Sequence, residues 1–109
     1  ALEDVRSKGK ARSVGVAGFS RAHLEALLPH VRNASLGNTS SIAVNQVEWH
    51  LGWHDDDLLG FCRAQGIHLQ ARWPLGGPGA EHPTPPEEAL APLRAAAAAH
   101  NATAAQAAL

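Results

Sequence analysis

The sequence predicts an α/β fold built on a parallel sheet. Short strand-like runs, "SVGVAGF", "IAVNQVEWH" and "IHLQARW", alternate with longer segments of helical periodicity. Glycine, asparagine or proline stands near the end of each helical segment, at Gly9, Pro29, Gly66 and Asn101. Strands separated by single helices imply right-handed crossovers, and such crossovers generate parallel pairing.

"ALEDVRSKGK" places Leu2 and Val5 on one face and Glu3 and Asp4 near its start, and Gly9 suits a left-handed C-cap. This reads as the last part of a helix. "SVGVAGF" follows as a short buried strand. Ser20 is positioned as N-cap for "RAHLEALLPHV", in which Leu24, Leu27, Leu28 and Val31 form one apolar stripe. Pro29 has no N–H to give, so the helix is expected to end near Leu28. "RNASLGNTSS" reads as a polar loop and "IAVNQVEWH" as the second strand.

Asp55, Asp56 and Asp57 favour the positive end of the next helix, "DDDLLGFCRAQG", and Gly66 ends it. "IHLQARW" is the third strand, followed at once by "PLGGPG". The Pro-rich stretch 78–88 is a long loop within a single domain spanning 1–109. "EEALAPLRAAAAAH" is strongly helix-prone, with Pro92 in its first turn and Asn101 suited to its end. Thr103 is placed to cap one more helix, "AAQAAL".

This order fits a doubly wound sheet or part of a (β/α)8 barrel. In either, ligands gather at the C-terminal ends of the strands. Those ends are "AGF", "NQVEWH" and "ARWPLGG". Asn45 and Gln46 are unusual inside an apolar strand, because a buried amide is costly unless it finds partners. The pair is either a structural polar network or a contact for a ligand.

Composition narrows the classes. A chain of 109 residues is one small domain or a piece of a larger one. It has no Met, so the sequence is expected to begin inside a longer polypeptide. A formal charge of -1 gives no electrostatic reason to expect nucleic acid or an anionic membrane as partner. The single cysteine, Cys62, excludes an internal disulfide framework and suits a reducing, cytoplasmic setting. Beside Leu58 and Phe61 it reads as a buried thiol rather than a nucleophile.

No apolar run approaches the ~20 residues that span a bilayer, and no N-terminal stretch reads as a signal peptide. The sequons starting at Asn33, Asn38 and Asn101 are therefore read as chance matches. His50 and His54 have i, i+4 spacing beside Asp55 to Asp57, and His68 lies further on. That spacing makes a metal site only on a helix, and His50 sits at a strand end with Gly52 following, so no metal is expected. No G-x-G-x-x-G is present, and "GVAGFS" lacks a phosphate-loop Lys.

"VGVAGFS", "AVNQVEWH" and "FCRAQGIHLQARWPLGG" resemble consecutive blocks of the aldo-keto reductases. The family blocks read V-G-V-S-N-F, V-N-Q-x-E-x-H-P and C-x-x-x-G-I-x-x-x-A-Y-S-P-L-G. "AAAAAHNATAAQAAL" likewise resembles A-x-x-H-x-x-T-P-A-Q-V-A-L. The blocks occur in order and cover nearly the whole chain. The resemblance implies a partial TIM barrel, its fifth to seventh strands parallel and flanked by helices. It also implies NADPH-dependent reduction of a small aldehyde or ketone to an alcohol.

Position by position, the resemblance makes Gln46 the glutamine that holds the nicotinamide carboxamide. An amide pairs with an amide as donor and acceptor together. The family's Ser-Asn pair, which also holds the carboxamide, is Ala17-Gly18 here, and both side-chain bonds are lost. The family's stacking Tyr is Arg72, which could instead meet pyrophosphate, and the next residue, Trp73, offers a stacking face from a shifted position. Pro74, Leu75 and Gly76 keep the family loop that approaches the pyrophosphate. The family's catalytic Asp, Tyr, Lys and His come from earlier strands, and this chain contains no Tyr, so no catalytic residue is assigned within it. Its block for the 2′-phosphate lies beyond Leu109. The expected function is that of a C-terminal-half fragment of a reductase. The alternative is a noncatalytic barrel remnant acting as a binding or interaction module.

Overall fold

The computed structural model describes residues 2–33 and 39–109. Helix α1 is Leu2–Ser7, followed by strand β1, Val14–Ala17, and helix α2, Arg21–Val31. Two short strands, β2 (Arg32–Asn33) and β3 (Thr39–Ser40), precede β4, Ile42–Glu48. Helix α3 is Asp56–Ala64 and β5 is His68–Arg72. A 3-10 turn at Glu87–Leu90 leads into α4, Ala91–Ala99, and α5, Ala104–Ala108, comes last. The main sheet has the order β1-β4-β5, with its three strands parallel and helices flanking them. Among the described residues no helix is long and apolar enough to cross a membrane.

The chain divides into two compact units. The first comprises Ala1–Val47 with Asp55–Gln70, and the second Glu48–His54 with Ala71–Leu109. The first holds the hydrophobic core: Val14, Leu24, Leu28, Ile42, Leu58, Cys62 and Ile67 are buried together. Leu24 and Leu28 come from the predicted stripe of α2, with Leu27 and Val31 packed against the cluster. Parallel β1 and β4 pair Gly15 with Val44, Val16 with Asn45 and Ala17 with Gln46. Gly15 is needed there, because a Cβ would fall 2.7 Å from the Val44 carbonyl oxygen.

The local punctuation acts as the sequence indicates. Gly9, Gly66 and Asn101 all take positive φ, at 67°, 70° and 52°. Each follows a helix whose last carbonyls are closed by the paired bonds of a Schellman motif, such as Ile67 N–H to Cys62 O and Gly66 N–H to Arg63 O. Asp55 caps α3 by accepting from the Leu58 N–H at 2.9 Å. Ser20 and His23 cap α2 reciprocally, Ser20 Oγ accepting from His23 N–H and His23 Nδ1 from Ser20 N–H. Thr103 and Gln106 form a capping box at α5.

Two expectations are corrected and one is borne out. Helix α2 does not end near Leu28 but runs to Val31 with Pro29 inside it. Proline there removes only one bond of the last turn, and the packing of Leu28 and Val31 carries the helix through. Pro92 lies in the first turn of α4 as expected, and the residues ahead of it, Glu87–Leu90, form a 3-10 turn with an i to i−3 bond from Ala89 N–H to Pro86 O. The stretch 32–41, read as loop throughout, carries antiparallel pairs Arg32 with Ser40 and Asn33 with Thr39. Its middle, 34–38, with the sequon at Asn38, lies outside the described residues.

Candidate functional site

The amide pair of β4 divides between two roles, because successive residues of a strand face opposite sides. Asn45 is 0% exposed. Its Nδ2 donates to Phe19 O at 2.8 Å, and its Oδ1 accepts from Phe19 N–H at 3.4 Å. Asn45 is therefore the structural half of the pair, tying β4 to the turn after β1. Gln46 is partly exposed, and its Nε2 donates to Gln70 Oε1 on β5 at 2.9 Å. Ala17, across the register from Gln46, is exposed. Gly18, with φ of 70°, has open space where a side chain would begin. Its N–H is already given to Gln46 O at 2.8 Å. Ala17 and Gly18 thus present backbone and little else.

The second unit contains the end of β5 and the turn after it. Arg72 is ion-paired with Glu81, while its Nε is buried with no acceptor among the described residues. Trp73 takes φ of 56°, a left-handed conformation that costs a non-glycine residue of order 1–3 kcal/mol. Its ring lies on Gly79, where any Cβ would collide with it, and the residue remains 42% exposed. Trp73 to Gly76 form a β-turn closed by Gly76 N–H to Trp73 O at 2.7 Å, with Pro74 and Leu75 at its corners. Thr84 packs where a Gly76 side chain would stand.

One cluster in this unit was not singled out as functional from sequence. Glu48 is buried at the end of β4. Its Oε1 accepts from His82 N–H at 2.9 Å and from His50 Nε2 at 3.0 Å. Its Oε2 accepts from Glu81 N–H at 2.9 Å, and His82 Nδ1 lies 3.3 Å away, too poorly aligned for a hydrogen bond. Gly52 N–H donates to His50 Nδ1 at 3.0 Å, which leaves the proton on Nε2, aimed at Glu48. The His82 ring stacks on Trp53 with centroids 3.6 Å apart and planes within 3°. Burial alone pushes the Glu48 carboxyl up, but the His82 N–H, the His50 ring and the Glu81 N–H outweigh it and hold the pKa at about 2. The signal in the sequence was Glu48-Trp49-His50, but the backbone donors to Glu48 lie more than thirty residues away.

His50 and His54 do not act together: His50 is committed to Glu48 and Gly52, whereas the His54 ring lies against Trp49, centroids 5.5 Å apart. Asp55 is a helix cap and Asp57 an ion-pair partner of Arg21. Cys62 is fully buried; burial pushes its thiol up, against a smaller opposing contact from Asn45. An apolar cavity of about 200 Å³ lies in the second unit, bounded by Leu51, Leu75, Pro85, Leu90, Leu93 and Ala105 among others.

The sequence profile of the aldo/keto reductase family matches residues 1–109. The chain is 40% identical over 78 residues to a D-galacturonate reductase of Hypocrea jecorina, covering 72% of this chain and 23% of that protein. It is 42% identical over 79 residues to aldo-keto reductase family 4 member C11 of Arabidopsis thaliana, again 72% and 23%. Over 75 residues it is 40% identical to glycerol 2-dehydrogenase (NADP(+)) of Saccharomyces cerevisiae, covering 69% and 22%. The crystal structure of an aldo/keto reductase from Brucella melitensis superposes with a TM-score of 0.71 at 27% identity, over 97% of this chain and 35% of that one. The three parallel strands and their helices are therefore part of a TIM barrel. This chain belongs to the aldo/keto reductase family. It spans less than a quarter of the length of these curated relatives.

Proposed function

We propose that these residues supply part of the nicotinamide and pyrophosphate site of a cytoplasmic aldo-keto reductase, which reduces a small aldehyde or ketone to the alcohol with NADPH. Residues 1–109 then form a partial barrel domain with the Pro-rich loop 78–88 inside it. The relatives' names, reductases and an NADP(+)-linked dehydrogenase, support the reaction class. The observation that carries the site is Gln46, at the C-terminal end of the central strand, whose side chain bonds only Gln70 among the described residues. One N–H and the carbonyl oxygen of that amide remain for a carboxamide.

In the second unit, the chemistry of Arg72 and Trp73 suits the rest of a dinucleotide. The buried Nε of Arg72 is an unmet donor, costly to leave so, and a pyrophosphate oxygen would satisfy it. Trp73 offers an exposed ring face for stacking. The turn through Pro74, Leu75 and Gly76 lets an anion approach the backbone. Ala17 and Gly18 contribute contact through backbone and Cβ only. The dinucleotide, when bound, would supply the hydride. This chain's residues orient and hold, and the proton donor is proposed to lie outside the 109 residues.

A second reading, a noncatalytic barrel remnant that binds a partner, is favoured by one observation: the Gly18 N–H is already spent on Gln46 O. Titrating the full-length protein with NADPH, and following NADPH consumption with aldehydes and ketones, decides between them. Binding that weakens about tenfold in Gln46→Ala, the worth of one good hydrogen bond, together with carbonyl-dependent turnover, is the expected result. Wild-type protein that binds no dinucleotide would leave the second reading.

A further inference from the structure

We propose that Glu48 is a positioning residue for the dinucleotide: its carboxylate fixes the segment 73–84 that carries Trp73 and Pro74 to Gly76. This inference rests on the dinucleotide reading above. The segment contains no regular strand or helix and must be held by other means. It is folded on itself through Trp73 on Gly79 and Thr84 on Gly76. Near its C-terminal end two successive backbone N–H groups, of Glu81 and His82, both donate to Glu48. The same point is tied to the end of β5 by the Glu81 pair with Arg72. The His82 ring between Trp53 and the Glu48 carboxylate adds a third attachment.

Among the described residues, the hydrogen bonds to Glu48 all come from donors and are spread over both oxygens. That makes the isosteric change Glu48→Gln a sharp test. An amide nitrogen in place of Oε1 would face the N–H groups of His82 and His50. In place of Oε2 it would face the N–H of Glu81. Either orientation leaves a backbone donor opposed by another donor, so the segment releases although volume and shape are kept.

The experiment uses the full-length protein, with NADPH titrated by fluorescence and steady-state kinetics measured on one reducible aldehyde. Glu48→Gln is expected to raise the Kd for NADPH about tenfold or more, while kcat at saturating NADPH stays within about threefold. The KM for the aldehyde at saturating NADPH is expected to hold. His82→Ala, which keeps the backbone N–H but removes the ring, is expected to raise the Kd less, and it serves if Glu48→Gln does not fold. Wild-type NADPH affinity in Glu48→Gln, with or without a lowered melting temperature, makes Glu48 merely structural and overturns the inference alone. If Glu48→Gln fails to fold, wild-type affinity in His82→Ala overturns it. Wild-type protein that binds no dinucleotide fails the underlying reading as well, so the two failures are told apart.

Discussion

Asn45 grips the main chain of Phe19 at both of its polar groups, accepting from the N–H and donating to the carbonyl. A fully buried side chain thereby does for the turn after β1 what another strand would do for an edge. The first prediction follows from this geometry. Asn45→Ala takes these partners from the Phe19 N–H and carbonyl in a part-buried site and opens a small void beside Cys62. The expected loss is about 2–4 kcal/mol of stability, read from urea unfolding. Asn45→Asp should also destabilise, since a carboxylate would face the Phe19 carbonyl. A loss below about 0.5 kcal/mol in Asn45→Ala would mean that the two bonds are formed equally well by water.

What the sequence could show, and what it could not, divides by the range of the interaction. Gly9, Gly66, Asn101, Asp55 and Thr103 act within a few residues of themselves, and a local pattern suffices to read them. The three strands were legible because short strand-like runs are bounded by such signals. Pro29 was misread because helix propensity is local, whereas the burial of Leu28 that overrides it comes from the rest of the core. The Asn45 and Gln46 pair could be recognised as costly, but not apportioned, until the partners Phe19 and Gln70 were known. Glu48 was visible only as part of a motif. Its meaning lies in the donors of Glu81 and His82, which no spacing rule brings to it.

The Glu48 cluster predicts a pH dependence of known sign. The carboxyl ordinarily titrates at 4.5 and is held at about 2 in the folded protein. A depressed pKa stabilises the fold above the unfolded value and loses that effect as pH falls through the folded one. The stability difference between wild type and Glu48→Gln should be constant above pH 4.5 and shrink between pH 4.5 and about 2. Urea midpoints measured across that range check it. A difference that grows as the pH drops would contradict the assigned hydrogen bonds.

Gly15 offers a test of the sheet. Gly15→Ala must push β1 away from β4 or move the Val44 carbonyl, since the new Cβ would sit 2.7 Å from that oxygen. Overpacking of this kind costs about 1–3 kcal/mol. Gly60→Ala, on α3 with open space around it, should be neutral or slightly stabilising because alanine favours helix. Thermal melts should therefore show a lowered midpoint for Gly15→Ala and an unchanged or slightly raised one for Gly60→Ala. Equal behaviour would mean that β1 is not held against β4 in the register seen.

The 109-residue chain by itself tests how far one sheet can stand alone. Its order β1-β4-β5 puts only β4 between neighbours, and β1 and β5 each offer one edge. Unpaired strand edges template association, and parallel sheets are ordinarily covered on both faces. The isolated chain is expected to unfold over a broad temperature range or to associate, seen as a rising mass by light scattering. A sharp cooperative melt of a monodisperse monomer would show that the helices cover enough of the sheet to make these edges harmless.

Cys62 provides the last test, because its chemistry reports the core directly. The thiol is fully enclosed with Leu58 and Ile67 in the core cluster. Burial raises its pKa above the ordinary 9.0, with Asn45 opposing and the Asp55 charge adding to the rise. Both access and thiolate fraction are therefore low in the folded state, and a disulfide reagent attacks only the thiolate. Labelling near about pH 8 should be at least about a hundredfold slower in the native protein than in urea, and limited by opening of the fold. Asn45→Ala should speed it, since the same substitution loosens the turn above the thiol. Rapid labelling of the native protein would contradict the enclosure of Cys62 and, with it, the packing of α3 on the core.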